Sequence, residues 1–121
     1  MTDVVITSAA RTAIGSYGKG LAAIPPSDLG AAAASAAMER AGIEPSQVDH
    51  VVFGNVIHTE TADAYMARVV SIKAQIPKEV PAYTVNRLCG TGVQAIVSAA
   101  QAIQTGEAEV AVAGGAESMS R

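Results

Sequence analysis

A single thiol, Cys89, stands in the run Asn86-Arg87-Leu88-Cys89-Gly90-Thr91-Gly92, where an apolar stretch of strand length gives way to one with helical spacing. A cysteine at the mouth of a helix faces unpaired backbone N–H groups and the positive end of the helix dipole. Both favour the thiolate, which is the nucleophilic form. Gly90 and Gly92 carry no β-carbon, so they permit a sharp turn and leave space for a carbonyl to approach backbone donors, as an oxyanion hole requires. Serine hydrolases hold their nucleophile on a comparable elbow between strand and helix. The bland alternative is that a lone cysteine serves as a small buried apolar residue. The two readings separate on whether the sulfur lies at an open helix start or deep among apolar side chains.

Other chemistry-bearing residues give weaker patterns. Gly90, Gly92 and Ala95 satisfy the G-x-G-x-x-G/A spacing of a dinucleotide-binding turn, and Glu117, just past Gly115, could serve as the acidic residue such a site wants. Against this, the turn follows the third apolar run rather than the first. After the first run comes Gly15-Ser16-Tyr17-Gly18-Lys19-Gly20, where Gly-Lys is followed by Gly instead of Ser or Thr, so a Walker phosphate loop is unsupported. His58-Thr59-Glu60 opens like the zinc deaminase pattern, but the Pro-Cys-x-x-Cys it needs is absent and no metal site is expected. His50 and His58 read as ordinary loop histidines, with His58 retained as a weak candidate base because it ends a strand on the Cys89 side. Glu60 reads as a solvated charge and Asp63 as a helix cap.

The elements that must position Cys89 alternate. Runs of strand length occur at Val4 to Ile6, His50 to Ile57, Pro81 to Asn86 and Val110 to Gly114, with helical spacing between them. In the first helix Ser27 can cap, Leu29, Ala32, Ala33, Ala36 and Ala37 share a face, and Gly42 terminates. The second helix places Tyr65, Val69, Ile72 and Ile76 on one side, with Asp63 before it and Pro77 as a stop. The third starts near Cys89, is expected to bury Val93, Ile96, Val97, Ala100 and Ile103, and ends at Gly106. This βαβαβαβ order predicts an α/β fold with a mixed, mainly parallel sheet and right-handed crossover helices. Three helices are few to cover both faces of such a sheet, so residues 1–121 are expected to be part of a larger domain.

Composition narrows the function classes. With 121 residues and 50% hydrophobic content the chain can build a core, and with 3% aromatics and no Trp that core must come from Ala, Val and Ile. A net charge of −3 and scattered basic residues argue against nucleic acid as a partner. No apolar run approaches the length of a membrane span, and the start lacks a signal-peptide layout, so a cytoplasmic location is expected. One cysteine precludes an internal disulfide, which suits a reducing compartment.

Four segments in order resemble the thiolases, the acyl-coenzyme A acyltransferases: Arg11-Thr12-Ala13-Ile14-Gly15, Gly54-Asn55-Val56, the run from Asn86 to Gly92, and Gly114-Gly115-Ala116-Glu117-Ser118-Met119-Ser120. The resemblance spans essentially the whole chain and is strongest to biosynthetic and broader β-ketothiolases. It implies that Cys89 is acylated by one acyl-coenzyme A and that a second, enolised acyl-coenzyme A attacks the thioester; the reverse reaction cleaves 3-ketoacyl-coenzyme A. It further implies that the Cys89 N–H donates to an oxyanion hole, that Leu88 and Gly90 contact substrate, and that no metal or redox cofactor takes part. The third strand and its helix are expected near a dimer interface in a homo-oligomer. Thiolases are several times longer and complete the site with later Asn-His, Gly-His-Pro and second-Cys motifs, none of which occurs here. The remainder of the thiolase polypeptide is therefore an expected partner, and the chain alone is expected to lack turnover.

Overall fold

The computed structural model describes residues 2–121. Three strands, β1 (His50–Gly54), β2 (Ala82–Val85) and β3 (Ala111–Gly115), form one sheet in the order β2-β1-β3 with both pairings parallel. The helices are α1 (Pro26–Ala41), α2 (Met66–Lys73) and α3 (Thr91–Gln104), so α2 carries the chain from β1 to β2 and α3 carries it from β2 to β3. This is the α/β arrangement expected from alternating periodicity. Parallel neighbours need such a crossover because the chain must return to the same end of the sheet.

β1 is buried along its whole length, as a central strand covered on both faces must be. Alternate side chains point to opposite faces. Val51 and Phe53 join Ala34, Met38, Met66 and Val70 on the side of α1 and α2, while Val52 joins Ala95 and Ala99 on the side of α3. α1 ends where Gly42 adopts φ 67°, and the N–H groups of Gly42 and Ile43 return to the carbonyls of Glu39 and Met38. α2 ends in the same way without a glycine: Gln75 takes φ 63°, and the Ile76 N–H reaches Ser71 O before Pro77.

Four expectations are corrected. Val4 to Ile6 forms no strand among the described residues; it lacks ladder hydrogen bonds, and Val5 and Ile6 are 74% and 73% exposed. A strand requires a paired neighbour, which an apolar run cannot guarantee. Ser27 is not the cap of α1: Pro25 occupies that position, and the buried Ser27 hydroxyl accepts a hydrogen bond from Lys73 Nζ at 2.9 Å. The inward faces of the helices are also rotated from those expected. α1 buries Gly30, Ala31, Ala34 and Met38, α2 buries Met66, Ala67 and Val70, and α3 buries Ala95, Ala99 and Ala102. Finally, Asp63 is a fully buried part of a single turn of 3₁₀ helix over Thr61–Tyr65. Its carboxylate accepts the Thr59 N–H and hydroxyl, each at 2.7 Å.

Candidate active site

β2 ends at Val85, and the chain then turns sharply through Leu88–Gly90, a single turn of 3₁₀ helix that runs straight into α3. Cys89 is exposed on that turn, at the carboxyl end of the sheet. Leu88 adopts φ 46°, a left-handed conformation that L-residues reach only at a cost and that recurs at functional turns. Hydrogen bonds hold it there. Asn86 Oδ1 accepts the Leu88 N–H at 3.0 Å, the Thr91 hydroxyl donates to Leu88 O at 2.6 Å, and the Arg87 N–H donates to Thr91 Oγ1 at 2.7 Å. The Gly90 N–H is engaged by Arg87 O at 3.0 Å, whereas the Cys89 N–H has no partner among the described residues. It belongs to the first turn of the helical segment, where amide donors lack carbonyls behind them.

The turn sits tight against β1. A β-carbon on Gly54 would come within 2.3 Å of Thr91 Cγ2, so only glycine at the end of β1 allows α3 to start there. The glycines on the turn behave differently. A β-carbon at Gly92 would meet nothing within 4 Å, and one at Gly90 only the Arg87 side chain at 3.8 Å. Neither is demanded by packing within this chain, so their bareness leaves open space beside Cys89. An open cleft of about 340 Å³ lies alongside, lined by Gly54, Val56, Leu88, Thr91, Gly92 and Glu117 among others. It lies at the carboxyl ends of the neighbouring strands β1 and β3, the end of an open parallel sheet where ligand sites gather.

The four sequence segments converge on this end of the molecule. Gly54-Asn55-Val56 and Gly115-Ala116-Glu117 leave adjacent strands, joined by the Ala116 N–H to Gly54 O bond at 3.0 Å. The Gly18 N–H reaches Ser120 Oγ at 2.9 Å, so the loop after Arg11–Gly15 is tied to the last segment. Glu117 turns toward the β1 loop rather than toward the start of α3. Its carboxylate accepts the N–H groups of Val56 and Ile57 at 3.0 and 2.8 Å and Asn55 Nδ2 at 3.2 Å. That engagement removes the acidic residue on which the dinucleotide reading leaned.

The histidines are not drawn in. His50 is buried at the opposite, amino end of β1, edge-on to Tyr83 with ring centroids 5.5 Å apart. His58 is exposed, four residues beyond the end of β1, with no hydrogen bond to the Cys89 turn. No group of three or more metal-ligating side chains occurs among the described residues. No helix among them is long and apolar enough to cross a membrane. The structural roles of Asn86, Thr91 and Gly54 are contributions that sequence reasoning missed. The signal for Gly54 was its place at the end of the central strand, but its necessity depends on a partner 37 residues away.

Comparison with known proteins gives one consistent result. The family described as thiolase, N-terminal domain, matches residues 4–121. Beta-ketothiolase BktB of Cupriavidus necator is 52% identical over 98% of this chain, and the human mitochondrial 3-ketoacyl-CoA thiolase 45% identical over 100% of it. Among solved structures, the Acat5 thiolase of Ascaris suum in complex with coenzyme A superposes with a TM-score of 0.95 at 37% identity, covering 99% of this chain and 31% of that one. The human mitochondrial enzyme in complex with CoA gives 0.92 at 46% identity, covering 94% of this chain and 29% of that one. The chain spans about 30% of the length of the curated relatives it matches. With the exposed Cys89 turn, the glycine-backed strand end and the Glu117 loop lock in one place, and with this match along nearly its full length, the chain belongs to the thiolase family.

Proposed function

We propose that these residues supply the nucleophile of a thiolase-type acyltransferase. In the first half-reaction the Cys89 thiolate attacks the carbonyl carbon of an acyl-coenzyme A. A carbon–sulfur bond forms to Cys89, the bond to the coenzyme A sulfur breaks, and coenzyme A leaves as its thiol after taking a proton. The enolate of a second acyl-coenzyme A then forms a carbon–carbon bond to the acyl carbon and releases the Cys89 thiolate. Run backwards, the sequence cleaves a 3-ketoacyl-coenzyme A. Leu88 flanks the acyl group, the bare Gly90 lets it approach, and the free Cys89 N–H stabilises the oxyanion that develops on its carbonyl. The coenzyme A thioester is the substrate, and the scheme uses no metal or redox cofactor.

The observation that carries this reading is the exposed thiol beside an unpartnered amide on a strained turn between strand and helix. Residues 1–121 contain part of an N-terminal thiolase domain, and the general base and most of the coenzyme A pocket come from polypeptide beyond them. The outward-facing Val93, Ile96 and Val97 of α3 support burial against that polypeptide or a second copy in a homo-oligomer. A free, exposed cysteine suits the reducing cytoplasm.

Incubation of the full-length polypeptide with acetyl-coenzyme A tests the proposal by intact-mass and peptide spectrometry. The expected result is one acetyl group on Cys89, absent in Cys89→Ala. An adduct that persists in Cys89→Ala, or no adduct on the native protein, overturns it.

A further inference from the structure

We propose that Glu117 is a positioning residue for the Cys89 turn, acting through the loop at 55–57 and Asn86. The inference rests on the acyl-transfer reading above and deepens it by naming what orients the nucleophile.

The connection is a continuous set of hydrogen bonds. Both carboxylate oxygens of Glu117 are occupied by donors of the β1 loop: the Val56 N–H on one, and the Ile57 N–H with Asn55 Nδ2 on the other. Asn55 Nδ2 also donates to Ala116 O at 2.9 Å, so the buried Asn55 side chain fastens the β1 loop to the chain just before Glu117. Held this way, the loop offers Val56 O to Asn86 Nδ2 at 3.3 Å. The same Asn86 amide uses Oδ1 to accept the Leu88 N–H at 3.0 Å. Leu88 is the residue in the left-handed conformation, and its C=O receives the Thr91 hydroxyl from the other side.

Two independent restraints therefore act on Leu88. Thr91 holds its carbonyl from within the turn, and Asn86 holds its amide from without. Thr91 is local to the turn and cannot report the position of β3. The amide plane of Asn86 is different, because it is oriented only as well as Val56 O is placed. Val56 in turn is fixed by a carboxylate in the segment that follows β3, and hydrogen bonds to a carboxylate are the stronger kind. Rotation of the Leu88–Cys89 peptide would swing both the sulfur and the free Cys89 N–H away from a shared target. A misplacement of reacting groups by about 1 Å, caused by a change far from them, can cost on the order of a hundredfold in rate.

A kinetic cycle in the full-length polypeptide tests the inference. Glu117→Gln replaces one accepting oxygen with a donor and so releases either Val56 or Ile57 together with Asn55 Nδ2. Asn86→Asp keeps an acceptor for the Leu88 N–H but loses the donor to Val56 O. Each is expected to lower the maximal rate of Cys89 acetylation by acetyl-coenzyme A about tenfold, with the half-saturating concentration unchanged. The double variant is expected to lose about tenfold rather than a hundredfold, because both changes cut one connection. Additive losses, or single variants that acetylate at the native rate, overturn the inference. Should Glu117→Gln fail to fold, Asn86→Asp at its exposed position decides the matter alone: native melting with a native acetylation rate overturns the proposal, and native melting with tenfold slower acetylation supports it. Cys89→Ala separates the two levels. If the native protein takes no acetyl group, or Cys89→Ala still takes one, the acyl-transfer reading fails; if Cys89 is acetylated and the positioning variants match it, only the role of Glu117 falls.

Discussion

Toward α1 and α2 the sheet presents Val51 and Phe53, which meet Met38, Met66, Val70 and Ile76 in a cluster of large buried side chains. Toward α3 it presents Val52, Val85, Ala111 and Ala113, and the helix meets them with the alanines Ala95 and Ala99. The larger residues of α3 point away, with Val93, Ile96 and Val97 left 68%, 46% and 41% exposed. The contrast follows from where the Cys89 turn sits. α3 begins one residue after Gly90, and its first residue, Thr91, lies against Gly54. A helix that starts so close to the sheet must keep small side chains along the approach, so its apolar bulk faces outward. The face built from large side chains carries stability, and the face built from small ones carries the geometry of the site.

Breaking the large-residue face is expected to have the largest effect on stability. Met66 is fully buried, and Met66→Ala leaves a cavity beside Val70 and Phe53 that is expected to cost about 2–5 kcal/mol in denaturant unfolding. A loss under 1 kcal/mol would mean that the cluster collapses around the gap and that the contrast between faces is overstated. Overfilling the small-residue face comes next. Gly54→Ala forces a methyl group into Thr91 and is expected to cost about 1–3 kcal/mol. It should also slow acetylation of Cys89, because Thr91 carries the hydroxyl that holds Leu88 O. Native stability with native acetylation would show that α3 does not need its close approach.

A smaller effect is expected at the amino end of the sheet, away from either face. The Asp49 carboxylate accepts the N–H groups of Val110 and Glu109, at 3.0 and 2.9 Å, and these bonds hold its pKa below the usual carboxylate range. A lowered folded-state pKa stabilises the protein above the unfolded value of about 3.9, and that contribution is lost as pH falls through the folded value. The stability difference between native protein and Asp49→Ala should therefore be present at neutral pH and close in acid. The effect is modest because the carboxylate is exposed to water. A gap that stays constant down to pH 2 would mean that Asp49 acts by something other than its charge. The smallest effect is expected for Val97→Ala on the outer side of α3. It should change the stability of residues 1–121 by no more than about 0.5 kcal/mol, since its side chain is already partly in water. A larger loss would show that the outer stripe is already covered by another copy.

Much of this arrangement was legible in the chain. The three paired strands were expected at His50 to Ile57, Pro81 to Asn86 and Val110 to Gly114; β2 and β3 form to within a residue of those bounds at each end, and β1 starts at His50 but stops at Gly54, three residues early. Gly42 and Gly106 end their helices with φ 67° and 81°, because a left-handed residue closes a helix most easily when it has no β-carbon. The turn of Cys89 at a helix start was equally readable, from one thiol flanked by glycines after an apolar run. These features depend on neighbours in sequence, and local chemistry is sufficient to specify them.

What the sequence left open required knowledge of the opposing surface. The spacing of Val93, Ile96 and Val97 correctly places them on one side of α3, but periodicity gives only the stripe, not which stripe meets the sheet. Here the alanine stripe does, because Thr91 must reach Gly54. Val4 to Ile6 has the composition of a strand, yet a ladder needs a partner at hydrogen-bonding distance, and composition says nothing about where that partner is. Glu117 fitted by position the acidic residue of a dinucleotide site, and it proved to be an anchor for a loop 60 residues earlier. Amino-acid order determines which groups are available and how each short segment bends. Folding in three dimensions decides which of those groups face one another, since the contacts that choose an inward face or orient a carboxylate come from residues far away along the chain.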